Sequence, residues 1–331
     1  MHAVLLDPLV DPVPDAWDGL VAATGAPALW RSALLVTAAW AAQAPTVLGV
    51  VSDGSEPVAL FHGRFQGPTD VRRFARPGAV PVAGVFECRL APASVAGYRF
   101  ARSLDAAGRR AAVVAFESAV RARFRWRVAG FCYRHVTEDV VPAVSGRFRG
   151  AIAVSPDTVL DVEWTAVADY LRVLPPKWRS QLRKIRATVA EDTAVRREVA
   201  AAVPAGQAAR LVNQVRDRHR SPGVVRPPIP ERYFTLLNDD PSTRFTAYRA
   251  GSDLLAVSTV HDTGAELVMS YWGIRDRTEG GRPNLYFDHY VAMVELAITS
   301  GRRALLPGKG MTHIKERFGA RTVPNFVVVG R

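Results

Sequence analysis

Apolar residues in this chain keep two periods, and the points where one gives way to the other mark the elements. Between Leu29 and Gln43, residues Trp30, Ala33, Leu34, Ala38 and Ala41 recur at three- and four-residue steps, the spacing of one helical face. Another helix is expected over Pro14–Gly25. Strand-like runs follow at Thr46–Val51 and Pro57–Phe65, and the turn SDGSE (Ser52 to Glu56) between them is a hairpin signal. A strand over Ala79–Leu90, a helix from about Ser103 to Arg123 and a strand over Trp126–Val136 complete the first half. The Gly-, Ser- and Pro-bearing stretch Val141–Pro156 reads as a boundary.

The second half repeats the theme. A strand at Thr158–Trp164 leads to helices from Thr165 to about Ala190, a strand at Thr193–Ala200 and a helix from about Gly206 to His219. A Pro-rich loop (Ser221 to Pro230) and the helix Glu231–Asp239 precede three strands, TRFTAYRA, DLLAVSTVHD and ELVMSYWGI, which are linked by the turns AGSD and DTGA. The chain ends with a basic loop (Arg275 to Pro283), a helix (Asn284 to Gly301) and a strand (Arg302 to Gly308). A short helix (Thr312 to Gly319) and a strand (Val323 to Gly330) follow. Two similar halves predict two domains, 1–150 and 151–331, rather than one doubly wound sheet. Tight turns between strands make each sheet mixed but mainly antiparallel, flanked by helices, an α/β fold of the α+β kind. No GxGxxG follows a strand, which argues against a Rossmann fold.

At 331 residues there is enough chain for two cores. No run approaches the ~20 apolar residues of a membrane span. The N-terminus carries Asp and Pro where a signal peptide needs basic and then apolar residues, so a cytoplasmic location is expected. Cys88 and Cys132 stand alone in apparent strands and read as buried free thiols. The net charge of +12 favours a polyanionic partner such as CoA, a carrier protein or RNA. Only four of the 43 basic residues are lysine, and the charge is spread over both halves, so it does not choose among these partners. No DNA partner is expected.

The basic loop holds the first candidate chemistry. Gly280 and Gly281 allow close backbone approach, and Arg275, Arg277 and Arg282 add charge. The amides of Asn284 and Leu285 open a helix whose dipole favours phosphate. On the helix, Asp288 or His289 could take a proton from a substrate amine, or be a surface acid and a packed imidazole. His261, beside a hairpin turn, is a further candidate base. No paired Cys, HxxxH or carboxylate cluster suggests a metal, and the GxSxG of a serine hydrolase is missing. The helix KWRSQLRKIR (Lys177 to Arg186) carries Arg179, Arg183 and Arg186 on one face, opposite Trp178, Leu182 and Ile185.

The segment YFDHYVAMVELAITSG, followed by a short strand and PGKGMTHIKERFG, resembles the C-terminal end of a predicted N-acyltransferase branch of the GNAT superfamily. These are tandem-GNAT proteins related to the Fem-type aminoacyl-tRNA-dependent peptidyltransferases. Asp288, Gly301, Gly308 or Gly310, Lys315 and Gly319 stand where that pattern has an acidic residue, glycines and a lysine. The resemblance runs from Thr158 onward and covers the first half by element order alone. Two departures are Asp288 in place of the usual glutamate and the absence of Q/RxxGxG/A. The resemblance implies an N-acyltransferase that moves an acyl group from a thioester, acyl-CoA first, to a small-molecule or peptide amine bound between the domains, the oxyanion held by a strand amide in Ser270 to Gly273. Asp288, His289 and His261 would be its catalytic candidates, and Lys315 would join Arg275, Gly280, Gly281, Arg282, Asn284 and Leu285 at the donor. An acyl carrier protein or aminoacyl-tRNA is the alternative deliverer. A non-catalytic nucleotide- or RNA-binding module is the alternative of a different class.

Overall fold

The computed structural model describes residues 1–42, 45–66, 83–90, 93, 95–219 and 227–331. In chain order the elements begin with β1 (His2–Leu6), α1 (Asp15–Thr24), α2 (Ser32–Ala41), β2 (Thr46–Asp53), β3 (Glu56–Gln66) and β4 (Gly84–Leu90). Next come β5 (Val95–Ala96), β6 (Tyr98–Phe100), α3 (Ala106–Phe124), β7 (Val128–Val136), α4 (Val141–Val144) and β8 (Arg149–Asp161). Then follow α5 (Val167–Val173), α6 (Pro176–Glu191), β9 (Arg196–Ala200), α7 (Ala205–Arg218), α8 (Glu231–Asn238), β10 (Thr243–Ala250) and β11 (Asp253–Asp262). The last are β12 (Glu266–Ile274), α9 (Leu285–Thr299), β13 (Ala304–Leu306), α10 (Thr312–Arg317) and β14 (Arg321–Gly330).

The chain divides into two compact units, Met1–Ser155 with Pro324–Arg331, and Pro156–Val323. The cut differs from the expected 1–150 and 151–331 at the C-terminus. There Phe326, Val328, Val329 and Gly330 of β14 pair with β7, so the last residues complete the first unit. The cut between Ser155 and Pro156 falls within the stretch Val141–Pro156 that reads as a boundary, although α4 and the first part of β8 occupy it.

In the first unit the strands lie in the order β1-β2-β3-β4-β7-β14. Strand β2 pairs antiparallel with β1 and β3, as do β3 with β4 and β7 with β14. Strands β4 and β7 instead run parallel over five partnered residues, Gly84 to Cys88 against Val128 to Tyr133. The crossover between them carries α3, capped by Asp105, whose carboxylate accepts from the Gly108 amide at 2.7 Å. Apolar residues of α3 meet the sheet in an aromatic core, with Phe61 stacked on Phe116 at 4.2 Å and Phe65 edge-on to Phe124. Inside it, Glu117 accepts from Tyr133 (2.7 Å) and from both Nη atoms of Arg149 (2.7 and 2.6 Å), so a buried carboxylate is fully partnered. Cys88 and Cys132 are buried free thiols, as expected.

The second unit orders its strands β8-β13-β12-β11-β10-β9, again antiparallel but for one pair, β12 and β13, bridged by α9. Each unit thus has a mixed, mainly antiparallel sheet flanked by helices, the fold class the sequence predicts. Trp178, Leu182 and Ile185 of α6 are buried, and the helix starts at Pro176, where the proline ring suits a first turn. Helix α9 is apolar nearly all round and largely buried, one face in a core with Tyr170, Phe318 and Leu305. On the opposite face of the sheet α7 packs so closely that a Cβ on Gly273 would stand 2.6 Å from the Val212 nitrogen and 2.9 Å from Leu211 Cβ. No helix among the described residues is long and apolar enough to cross a membrane.

Candidate active site

The parallel pair of the second unit is short. Glu266, Leu267 and Val268 partner Ala304, Leu305 and Leu306, and the pairing ends there. From Met269 onward β12 faces the loop 307–311 across a gap. A cavity of about 800 Å³ opens in it, lined by Met269, Ser270, Tyr271 and Trp272, by Tyr286 and Phe287 of α9, and by Pro307, Lys309, Gly310 and Met311. Ile314 and Lys315 of α10 close one side, and Val215, Arg218 and His219 at the end of α7 close another. Most of these walls are apolar, the composition of a small-molecule site with few fixed polar groups.

A β-bulge shapes the wall. Ser258 partners Trp272 and Val260 partners Met269, which leaves Ser270 and Tyr271 together opposite Thr259. Trp272 turns toward α9, edge-on to Tyr286 and stacked at 4.8 Å on His289, while Tyr271 turns to the other face and bonds the Tyr233 hydroxyl at 3.2 Å. Ser270 Oγ lies 2.9 Å from Nε2 of His261, and His261 Nδ1 lies 3.1 Å from Oγ1 of Thr243, its direct partner across β10 and β11. Burial lowers the His261 pKa to about 4.

Of the residues expected to be catalytic or to hold the donor, Lys315 lines the cavity. Its ammonium is buried and donates to the carbonyls of Pro307 (2.8 Å), Gly308 (2.8 Å) and Lys309 (3.0 Å), and burial lowers its pKa to about 8. It therefore holds the loop that forms the wall. Asp288 points elsewhere. Its carboxylate, 3% exposed, accepts from Tyr248 (2.7 Å) and Arg197 (3.0 Å) and pairs with Arg186 at 3.6 Å. Burial, and then the Asp288 charge, raise the Tyr248 pKa, so the phenol stays a donor. Arg186 of the expected basic face is thus turned inward. His289 is fully buried behind Trp272, and neither ring nitrogen has a hydrogen-bond partner among the described residues. Burial, followed by the Arg197 charge, lowers its pKa to about 3.

The loop before α9 is closed on itself. The amides of Thr278, Glu279, Gly280 and Gly281 donate to Asp276 Oδ1, Asp276 O, Arg277 O and Asp276 O in turn. Arg275 pairs with Asp253 at 3.2 Å and Arg282 with Asp192 at 2.8 Å, so their charges are matched. Arg218, at the cavity, pairs with Asp276 at 3.4 Å. Gly280 takes φ of +87°, Asn284 takes φ of +66° with no side-chain cap, and Leu285 is buried among Tyr248, Leu255 and Ala256. None of these loop and helix-start residues, 275 to 285, lines the cavity. The sequence points to a backbone amide within Ser270–Gly273 for the oxyanion and to Tyr286 among the polar residues of the helix. It does not mark the Ser270 hydroxyl, Trp272 or Phe287 as wall, and on β12 the bulge shifts the alternation that would assign faces. Among the described residues no group of three or more His, Cys, Asp or Glu is placed to hold a metal ion.

The sequence matches no protein-family model and no curated protein. The structure is similar to solved ones. L-PGS from Bacillus licheniformis superposes with a TM-score of 0.62 at 9% identity, over 96% of this chain and 92% of that one. The C-terminal domain of a protein assigned as a lysylphosphatidylglycerol synthetase from Agrobacterium fabrum gives 0.59 at 11% identity, over 96% and 92%. FemX gives 0.57 at 10% identity, over 99% and 97%. The tandem, Fem-like fold that the sequence resemblance implies is therefore the fold observed.

Proposed function

We propose that the protein is an acyltransferase that carries an activated acyl group in the cavity beside β12 and passes it to an amine. The observation that carries this reading is the parting of β12 and β13 after Val268 and Leu306. Beyond that point the peptide groups of β12 lack a strand partner on one side among the described residues. An extended donor arm can take the missing strand's place, as added strands do at open edges. Its acyl end would then lie against Trp272, Tyr286 and Phe287. Attack by the amine on the acyl carbon needs chiefly positioning and a donor for the developing oxyanion.

An acyl-CoA thioester is the first choice of donor, because the apolar walls suit an uncharged acyl chain and Lys315 adds a cation below about pH 8. The closed loop supports a second donor. With the amides of residues 278–281 already engaged, a diphosphate gains less there than at an open nest. An aminoacyl ester on tRNA or a carrier-borne thioester has no such requirement, and the Fem-like fold favours the tRNA form. Radiolabelled acyl-CoA and charged tRNA, each offered with a panel of amines, separate the two. Amide product from one class alone assigns the donor, and no product from either, with no donor-induced thermal shift, defeats the acyltransferase reading.

A further inference from the structure

The Thr243–His261–Ser270 chain has the form of a catalytic relay but not the electrostatics of a base. A general base works best with a pKa near the working pH. His261 is enclosed, with Thr243 Oγ1 on Nδ1 and Ser270 Oγ on Nε2, and Asp240, the one acid that raises its pKa, does not offset burial. Nδ1 meets a hydroxyl rather than a carboxylate, so an imidazolium formed on proton uptake would lack the partner that stabilises it in a serine-hydrolase triad. A neutral ring can do something else. With its proton on Nε2 it donates to Ser270 Oγ and accepts from the Thr243 hydroxyl at Nδ1. Both hydrogen bonds then point one way, and the remaining hydrogen, on Ser270, is free for the cavity.

We propose that Ser270 is a side-chain oxyanion donor, its hydroxyl hydrogen aimed at the acyl oxygen by the buried His261 and Thr243. This rests on the acyltransferase reading. The bulge supplies the geometry, since it brings Ser270 to the cavity wall while keeping its oxygen on the His261 ring. In the reaction the amine nitrogen forms a bond to the acyl carbon and the carbonyl π pair moves onto oxygen. There the Ser270 O–H donates a hydrogen bond without giving up its proton. When the pair returns, the bond from carbon to the donor's sulfur or oxygen breaks, and the leaving group takes the proton that the amine nitrogen loses. Ser270 touches the reacting atoms, whereas His261 and Thr243 are positioning residues.

Two measurements test the proposal. The first needs no substrate: nitrogen-15 NMR of histidine-labelled protein should show His261 neutral and protonated on Nε2 from about pH 5 to about pH 9. A ring protonated on Nδ1 would mean that Ser270 donates to His261 rather than to the cavity, and would overturn the proposal. So would a ring that titrates near neutral pH. The second is kinetic. Ser270→Ala should lower kcat by about 10²–10³-fold with donor affinity kept, the usual loss of one oxyanion donor. His261→Gln, whose amide can still donate to Ser270, should retain more activity than His261→Leu, and neither should move a limb of the pH–rate profile. Measurable transfer that Ser270→Ala leaves unchanged refutes the role of Ser270. Absence of transfer in the unmodified protein refutes the acyltransferase reading instead, and the NMR result then still decides the direction of the chain.

Discussion

Replacing Asp288 separates a structural carboxylate from a catalytic one. In Asp288→Ala the Tyr248 hydroxyl loses its acceptor, which for a buried donor costs about 1–3 kcal/mol. Arg197 and Arg186 lose their shared counter-ion. Removing one partner of a fully buried pair costs about 3–5 kcal/mol, but these two side chains are 31% and 30% exposed and recover water, so only part of that applies. The sum expected is about 2–4 kcal/mol, which for a unit of this size lowers Tm by about 4–16 °C. Asp288→Asn keeps an acceptor for Tyr248 and should fall between. Scanning calorimetry reads the loss, and a cycle with Tyr248→Phe should show coupling above about 0.5 kcal/mol, as groups in contact do. A variant as stable as the parent that turns over about 10²–10⁴-fold more slowly would mean that Asp288 is the proton acceptor after all.

Three further outcomes are expected. Gly281→Val, whose Cβ would stand 2.1 Å from the Arg275 carbonyl oxygen, should cost about 2 kcal/mol or more in urea titration, and an unchanged midpoint would mean that the loop opens freely. Lys315→Met removes three bonds to the 307–309 carbonyls and should raise the donor KM more than it lowers kcat; in the parent, donor affinity should weaken as pH rises past about 8, and the variant should lack that step. His289→Phe should flatten the loss of stability in acid. Unfolded His289 takes a proton below about 6.5 but the folded ring only near 3, so its contribution is complete above 6.5 and is lost as pH falls toward 3. Parallel curves of Tm against pH for the two proteins would contradict this.

Periodicity located most elements, because helical faces and hairpins are local. The SDGSE turn, the buried stripe of α6 and the late strands all appear where the residues place them. Non-local pairing was less legible. β1 takes its partner from β2, some forty residues on, and nothing in HAVLL alone marks it as an edge strand. The site was least legible. Asp288 and His289 were singled out for their chemistry, but burial spends one on two arginines and a tyrosine and the other on stacking against Trp272. The cavity itself depends on where two strands stop pairing, a property of backbone geometry that leaves no residue signature.

Among the described residues each unit holds one parallel strand pair, and the two pairs differ in length. In the first unit β4 and β7 stay joined for five residues, while β12 and β13 separate after three. A duplicated topology would naively offer two seats for an extended donor arm. Where the strands remain laced together, the backbone groups that would receive such an arm already hold each other. The longer pairing in the first unit leads us to expect one donor per chain, which a calorimetric titration that saturates at a single equivalent would bear out.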